Sequence, residues 1–149
     1  MDYAELAAQF LNKMQSLRRA RPHRHIDEAL HGGGFVLYYI SLHRDGVLPG
    51  DISQEMAVSS ARIAAALNKL EGKGLITRRI DKSDRRKILV EITPEGLNLS
   101  EKHQRIITNE AAKMLSQLGE HDAKEYVRIT GKLAEIMNNY YSENDYAED

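Results

Sequence analysis

The residues DKSDRRK at positions 81–87 set Lys82, Arg85, Arg86 and Lys87 beside Asp81 and Asp84, between two apolar runs, LITRRI and ILVEIT. Cations gathered this closely bind anions. The excess is local. Residues 62–87 hold nine lysines and arginines against three acids, a net of +6, residues 88–149 carry −6, and the whole chain is at −1. A basic centre between acidic flanks points to an anionic partner for the centre alone.

Other chemistries find less support. The chain has no cysteine, so disulfides, thiolate metal ligation, thiol nucleophiles and thiol redox sensing are excluded. Its six histidines include an H-x-H at His23 and His25 with His31 nearby, while His43 and His103 fall on separate elements. There is no H-E-x-x-H and no paired i, i+4 spacing, so no metal site is expected. The stretch GGGF at 32–35 lacks the Lys-Ser/Thr of a phosphate loop, no dinucleotide-binding glycine spacing occurs, and nothing orders serine and histidine as a triad. Neither an enzyme nor a cofactor is expected. At 149 residues, 42% hydrophobic and 29% charged, the composition is that of one ordinary domain. No apolar run approaches the roughly 18 residues of a membrane span. The start, MDYAELAAQF, lacks the pattern of a secretory signal, so a cytoplasmic location is expected.

The elements that must position the basic block follow from periodicity. Leu6, Phe10, Met14 and Leu17 recur at i, i+4, i+8 and i+11 and predict a helix over 2–20, which Pro22 ends. After the glycines at 32–34, FVLYYISLHRD suits a short buried helix, with a strand left open by Val36, Tyr38, Tyr39 and Ile40. Pro49 opens a two-turn helix bearing Ile52 and Met56, and Val58 marks a tight joint. Ser59 is a good N-cap for a longer helix with Ile63, Leu67 and Leu70 on one face, ended by Gly72 and Gly74. Short helix, joint and longer capped helix are the outline of a helix-turn-helix. LITRRI and ILVEIT then read as a hairpin with the charged residues at its tip. Thr93-Pro94-Glu95 starts a helix to about Leu118, Gly119 breaks it, and a last helix is expected from about Asp122 to Tyr141. The acidic tail SENDYAED is expected to fray. Ile106 and Ile107, with Ile129, Leu133, Ile136 and Met137, leave stripes that a small winged domain cannot cover, and such stripes mark a partner surface.

At residues 58–96, VSSARIAAALNKLEGKGLITRRIDKSDRRKILVEITPEG, the chain resembles the MarR family of bacterial transcriptional regulators. The family's wing signature, D-x-R-x-x-x-[LV]-x-L-T, is met by Asp84, Arg86, Val90 and Thr93, with Ile92 in place of the leucine. The preceding L-E-x-K-G-L-[IV] is met by Leu70, Glu71, Lys73, Gly74, Leu75 and Ile76. The resemblance implies a mainly α fold with a small β wing: a single domain over 1–149, with a winged helix-turn-helix at about 33–96 and dimerisation helices at about 1–30 and 97–141. It implies a homodimer on double-stranded DNA at a pseudo-palindromic operator, often as a ligand-relieved repressor.

On this reading the recognition helix offers Ser59, Ser60, Ala61, Arg62, Asn68 and Lys69 to DNA. Ala61, Ala64 and Ala65 can give only methyl contacts, for example to thymine, so hydrogen bonding to bases falls mainly on Ser59, Ser60 and Arg62. The hairpin tip is the wing. Asp84 pairs with Arg86 and shapes the turn, Arg85 enters the minor groove, and Lys87 meets phosphate. The family's effector pocket lies between dimer helices and winged domain. Phe10, Met14, Arg18, Tyr38, Tyr39 and His103 are its candidate lining here, suited to a small aromatic or carboxylate effector. Two alternatives remain: a metal-responsive regulator of the same fold, and a protein-interaction module that has lost specific DNA binding.

Overall fold

The computed structural model describes residues 2–19 and 33–144. Pro22, the candidate metal loop with His23, His25 and His31, and the end of the acidic tail lie outside the described residues. The chain forms two compact units, residues 1–107 and 108–149.

The first unit begins with α1, Tyr3–Arg19, which buries none of its side chains. Next, α2 is Gly33–Leu42. The β-branched and aromatic residues that left a strand open here are overridden by burial. Val36, Leu37 and Ile40 meet the core together, and i, i+1, i+4 share a side on a helix but not on a strand.

The helix-turn-helix comprises α3, Pro49–Met56, and α4, Ser60–Gly72. Pro49 occupies the first turn of α3, where its missing N–H costs nothing. At the joint Ala57 is left-handed, with φ of 50°. The Val58 N–H donates to the Ser53 carbonyl (3.2 Å) and the Ser53 hydroxyl to the Val58 carbonyl (2.5 Å). Ser59 caps α4 by accepting from the Arg62 N–H at 3.4 Å. At the far end Gly74, at φ of +70°, makes the left-handed exit that glycine adopts without penalty.

Strands β1, Ile76–Ile80, and β2, Ile88–Ile92, pair antiparallel, with Ile76 opposite Ile92, Arg78 opposite Val90 and Ile80 opposite Ile88. Val47 adds a one-residue bridge to Val90, through hydrogen bonds of 3.0 and 2.9 Å; nothing in its sequence context announced it. Val36, Leu37, Ile40, Val47, Ile52, Ile63, Leu67, Leu70, Leu75, Ile76 and Val90 form one core. That core fixes α4 and the wing to the same body.

Helix α5, Pro94–Leu118, starts on the base of the wing. The Thr93 hydroxyl accepts from the Gly96 N–H (3.0 Å) and donates to the Gly74 carbonyl (2.7 Å), and the Thr93 N–H donates to the Leu75 carbonyl (3.1 Å). Gly96 is buried, and a Cβ there would lie 1.9 Å from the Leu75 carbonyl oxygen. Only glycine lets the first turn of α5 approach this closely.

The second unit holds the rest of α5 and, after a break at Gly119 (φ +79°), helix α6, Glu120–Asn144. Surface pairs Lys124–Glu120 (2.5 Å) and Arg128–Glu125 (2.8 Å) support α6. Hydrogen bonds from Arg128 hold the Glu125 carboxyl below its ordinary range. Val127, Ile129, Leu133, Ile136 and Met137 are exposed along α6. No helix among the described residues is long and apolar enough to cross a membrane.

Candidate nucleic-acid interface

Helix α4 has two faces. Ile63, Leu67 and Leu70 are buried, while Ser59, Ser60, Ala61, Arg62, Ala64, Ala65, Asn68 and Lys69 are exposed. The start of the helix therefore carries two hydroxyls and one guanidinium outward, beside backbone N–H groups whose dipole favours an anion. The alanines between them leave a flat apolar strip.

Asn68 sits differently from its fellows. Its side-chain carbonyl accepts from Arg78 Nη2 at 2.9 Å, and Arg78 Nη1 is bonded to the Glu71 carboxylate. Arg78 thus bridges the wing to the last turns of α4, and Asn68 has its acceptor engaged within the protein. Arg79, on the opposite face of β1, donates to Glu91 (2.5 Å) and to the Asp45 carbonyl (3.0 Å). Sequence reasoning counted both arginines in the basic block without giving either a place. The available signal was strand alternation: neighbours on β1 must point to opposite faces.

The wing tip is built by its two aspartates. Asp81 Oδ1 accepts from the Ser83 N–H and hydroxyl, both at 2.8 Å. Asp84 Oδ1 accepts from the Arg86 N–H (3.1 Å) and Nε (3.2 Å), and Oδ2 accepts from Nη2 (3.3 Å). The Lys87 N–H donates to the Asp84 carbonyl and the Asp81 N–H to the Lys87 carbonyl, each at 2.9 Å. These donors stabilise the charged carboxylates. The Ser83 N–H, chiefly, holds Asp81 below its ordinary range, and the Arg86 side chain, chiefly, does the same for Asp84. Arg86 is turned back onto Asp84, whereas Lys82, Arg85 and Lys87 are exposed and make no ion pair among the described residues. A tip so tied keeps both aspartates engaged within the turn and leaves three cations exposed.

Of the six candidate effector residues, Tyr38 lines a groove of about 400 Å³ between α2 and the first turns of α5, with Ser41, Arg44, Ser100, Glu101 and Arg105. Tyr39 packs against the core instead. Its ring lies 6.4 Å from Phe35 and 4.3 Å from His43, and burial, then Glu55 and Asp51, push its phenol up. Phe10, Met14 and Arg18 are exposed on α1, and His103 is exposed on α5. The described residues contain no cluster of three histidine, aspartate or glutamate side chains able to hold a metal.

Residues 35–87, from α2 to the end of the wing tip, match the family model described as MarR family. The HTH-type transcriptional regulator YdgJ of Bacillus subtilis (strain 168), described as uncharacterized, is 24% identical over 97 residues, 65% of this chain and 59% of that protein. The chain thus spans about three fifths of that regulator's length. Among solved structures, the YusO protein from Bacillus subtilis matches with a TM-score of 0.66 and 24% identity, over 91% of this chain and 99% of that one. A MepR–DNA complex from S. aureus matches with a TM-score of 0.64 and 24% identity, over 88% and 96%. Both share the fold.

Proposed function

We propose that this chain, whose residues 35–87 match the MarR family model, is a DNA-binding transcriptional regulator of that family, a repressor acting as a cytoplasmic homodimer on a pseudo-palindromic operator. One observation carries the reading. In a single compact unit, the exposed face of α4 and the wing that carries the untied cations are held together by the shared core and by Arg78, which bonds Asn68 and Glu71 in the last turns of α4. A helix that reads the major groove and a hairpin that reaches the adjacent backbone must be held in fixed relation, and Arg78 with the shared core supplies that relation. Arg62 discriminates bases, since a bidentate arginine–guanine contact is worth about 1–3 kcal/mol. Arg85 enters the minor groove and Lys87 neutralises phosphate. Residues about 33–96 form the DNA-binding region, with dimerisation helices on either side.

The groove beside Tyr38 is the candidate effector site. The guanidinium groups of Arg44 and Arg105 with the Ser41 and Ser100 hydroxyls suit a small carboxylate, and the Tyr38 ring suits an aromatic one. Native mass spectrometry of the purified protein would detect such a ligand.

Gel retardation against genomic fragments and random duplexes, at several salt concentrations, tests the function. A subset of fragments should bind well above random DNA, and Arg62→Ala should erase most of that difference. Equal retention of all sequences, or of none, would leave the chain an interaction module, to which the alanine-rich reading face would be no obstacle.

A further inference from the structure

On β1 and β2 one face carries three cross-strand pairs: Ile76–Ile92, Arg78–Val90 and Ile80–Ile88. Ile76 and Val90 are buried, and Arg78 reaches across to Asn68 and Glu71. This face therefore looks toward the recognition helix. Its outermost pair is left uncovered, with Ile80 60% and Ile88 50% exposed. The hairpin itself does not demand hydrocarbon there. Threonine is also β-branched and suits an exposed strand equally.

The surroundings say what such a pair can meet. Lys82, Arg85 and Lys87 lie just beyond it at the tip, and the exposed face of α4 lies beyond Arg78 on the other side. An apolar pair rimmed by cations matches a polyanion whose charges are separated by apolar edges. A DNA strand is of that kind, with deoxyribose between successive phosphates. We propose that Ile80 and Ile88 pack against the sugar edges of the strand bordering the minor groove that the wing enters, an inference that rests on the DNA-binding reading. The pair contributes affinity without charge and without base preference. It also sets the depth to which Arg85 can enter, because two isoleucines seated on sugars stop the hairpin from sliding further.

Two double variants of the full chain test this on a genomic fragment that binds the wild type and on a random duplex. Ile80→Thr with Ile88→Thr should weaken both complexes by about tenfold, with the salt slope, thermal midpoint and sedimentation coefficient of the wild type. Ile80→Val with Ile88→Val should stay near the wild type. Three results would overturn the proposal. Unchanged affinity in the threonine variant means that the pair touches nothing in the complex. An affinity loss with a shallower salt slope means that the pair only holds the wing in shape. An altered sedimentation coefficient means that it faces another protein chain. If the wild type retains no duplex at all, the DNA-binding reading falls and this inference with it, an outcome distinct from the other three.

Discussion

At the residue scale, the wing tip depends on two carboxylates remaining ionised. Hydrogen bonds from Ser83 and Arg86 hold Asp81 and Asp84 below the ordinary aspartate value, which is about 3.9 in model peptides. A depressed carboxylate contributes order that is fully present above the unfolded value and is lost as the pH falls through the folded one. The amides of Ser83 and Arg86, followed by NMR, should therefore hold their positions from neutral pH down to about 5. They should move together only below the ordinary aspartate range. Asp84→Ala should remove the titration at Arg86 and spare that at Ser83. Movement of both amides near neutrality would mean that the aspartates do not build the tip. The Asp84–Arg86 pairing was legible in the D-x-R spacing of the sequence. The capture of Asn68 by Arg78 was not, because it joins residues ten apart through the meeting of a helix and a strand, which no local pattern encodes.

At the scale of elements, the assembly turns on the point where α4, β1 and α5 converge. Gly96 rests on the Leu75 carbonyl with no room for a methyl group, so Gly96→Ala must push α5 away from the wing. The expected loss is about 1–3 kcal/mol, the usual cost of overpacking a fixed site, read as a lower urea midpoint at unchanged slope. An unaltered midpoint would mean that α5 does not lean on Leu75 at the base of the wing. The helix-turn-helix, the hairpin and the Thr93-Pro94 start of α5 could all be read beforehand, because capping residues, glycine exits and alternating β-branched runs are local signals. The choice of helix over strand for α2 needed the core, since Val36, Tyr38 and Tyr39 favour a strand by propensity while burial of Val36, Leu37 and Ile40 on one side favours a helix. The Val47–Val90 bridge is a long-range pairing of one residue and leaves no periodicity to read. The candidate effector site was the least legible part. Tyr38 lines the groove, but Arg44, Ser100 and Arg105 meet it only because the end of α2 comes near the first turns of α5, and Tyr39 is drawn to the core.

At the scale of the molecule, exposed apolar stripes and a divided charge set the expectations. Leu6, Phe10, Met14 and Leu17 on α1 and Ile129, Leu133, Ile136 and Met137 on α6 are all about half exposed, more apolar surface than an isolated soluble chain ordinarily leaves to water. Sedimentation at micromolar concentration should give a dimer, and Phe10→Glu with Leu133→Glu should give a folded monomer with greatly reduced affinity for DNA. A wild type that sediments as a monomer would contradict the dimer. The +6 of residues 62–87 within a chain of net charge −1 confines the proposed DNA binding to one region. The most direct test of the central claim, that this region grips DNA through the wing, is the slope of log affinity against log salt for the wild type and Arg85→Ala on the same duplex. Each phosphate contact contributes about 0.9 to that slope. The account predicts weaker binding to specific and random DNA alike, with the slope flattened by roughly two for a dimer. Unchanged affinity and unchanged slope in Arg85→Ala would contradict it and return the charges of DKSDRRK to a solvated hairpin tip.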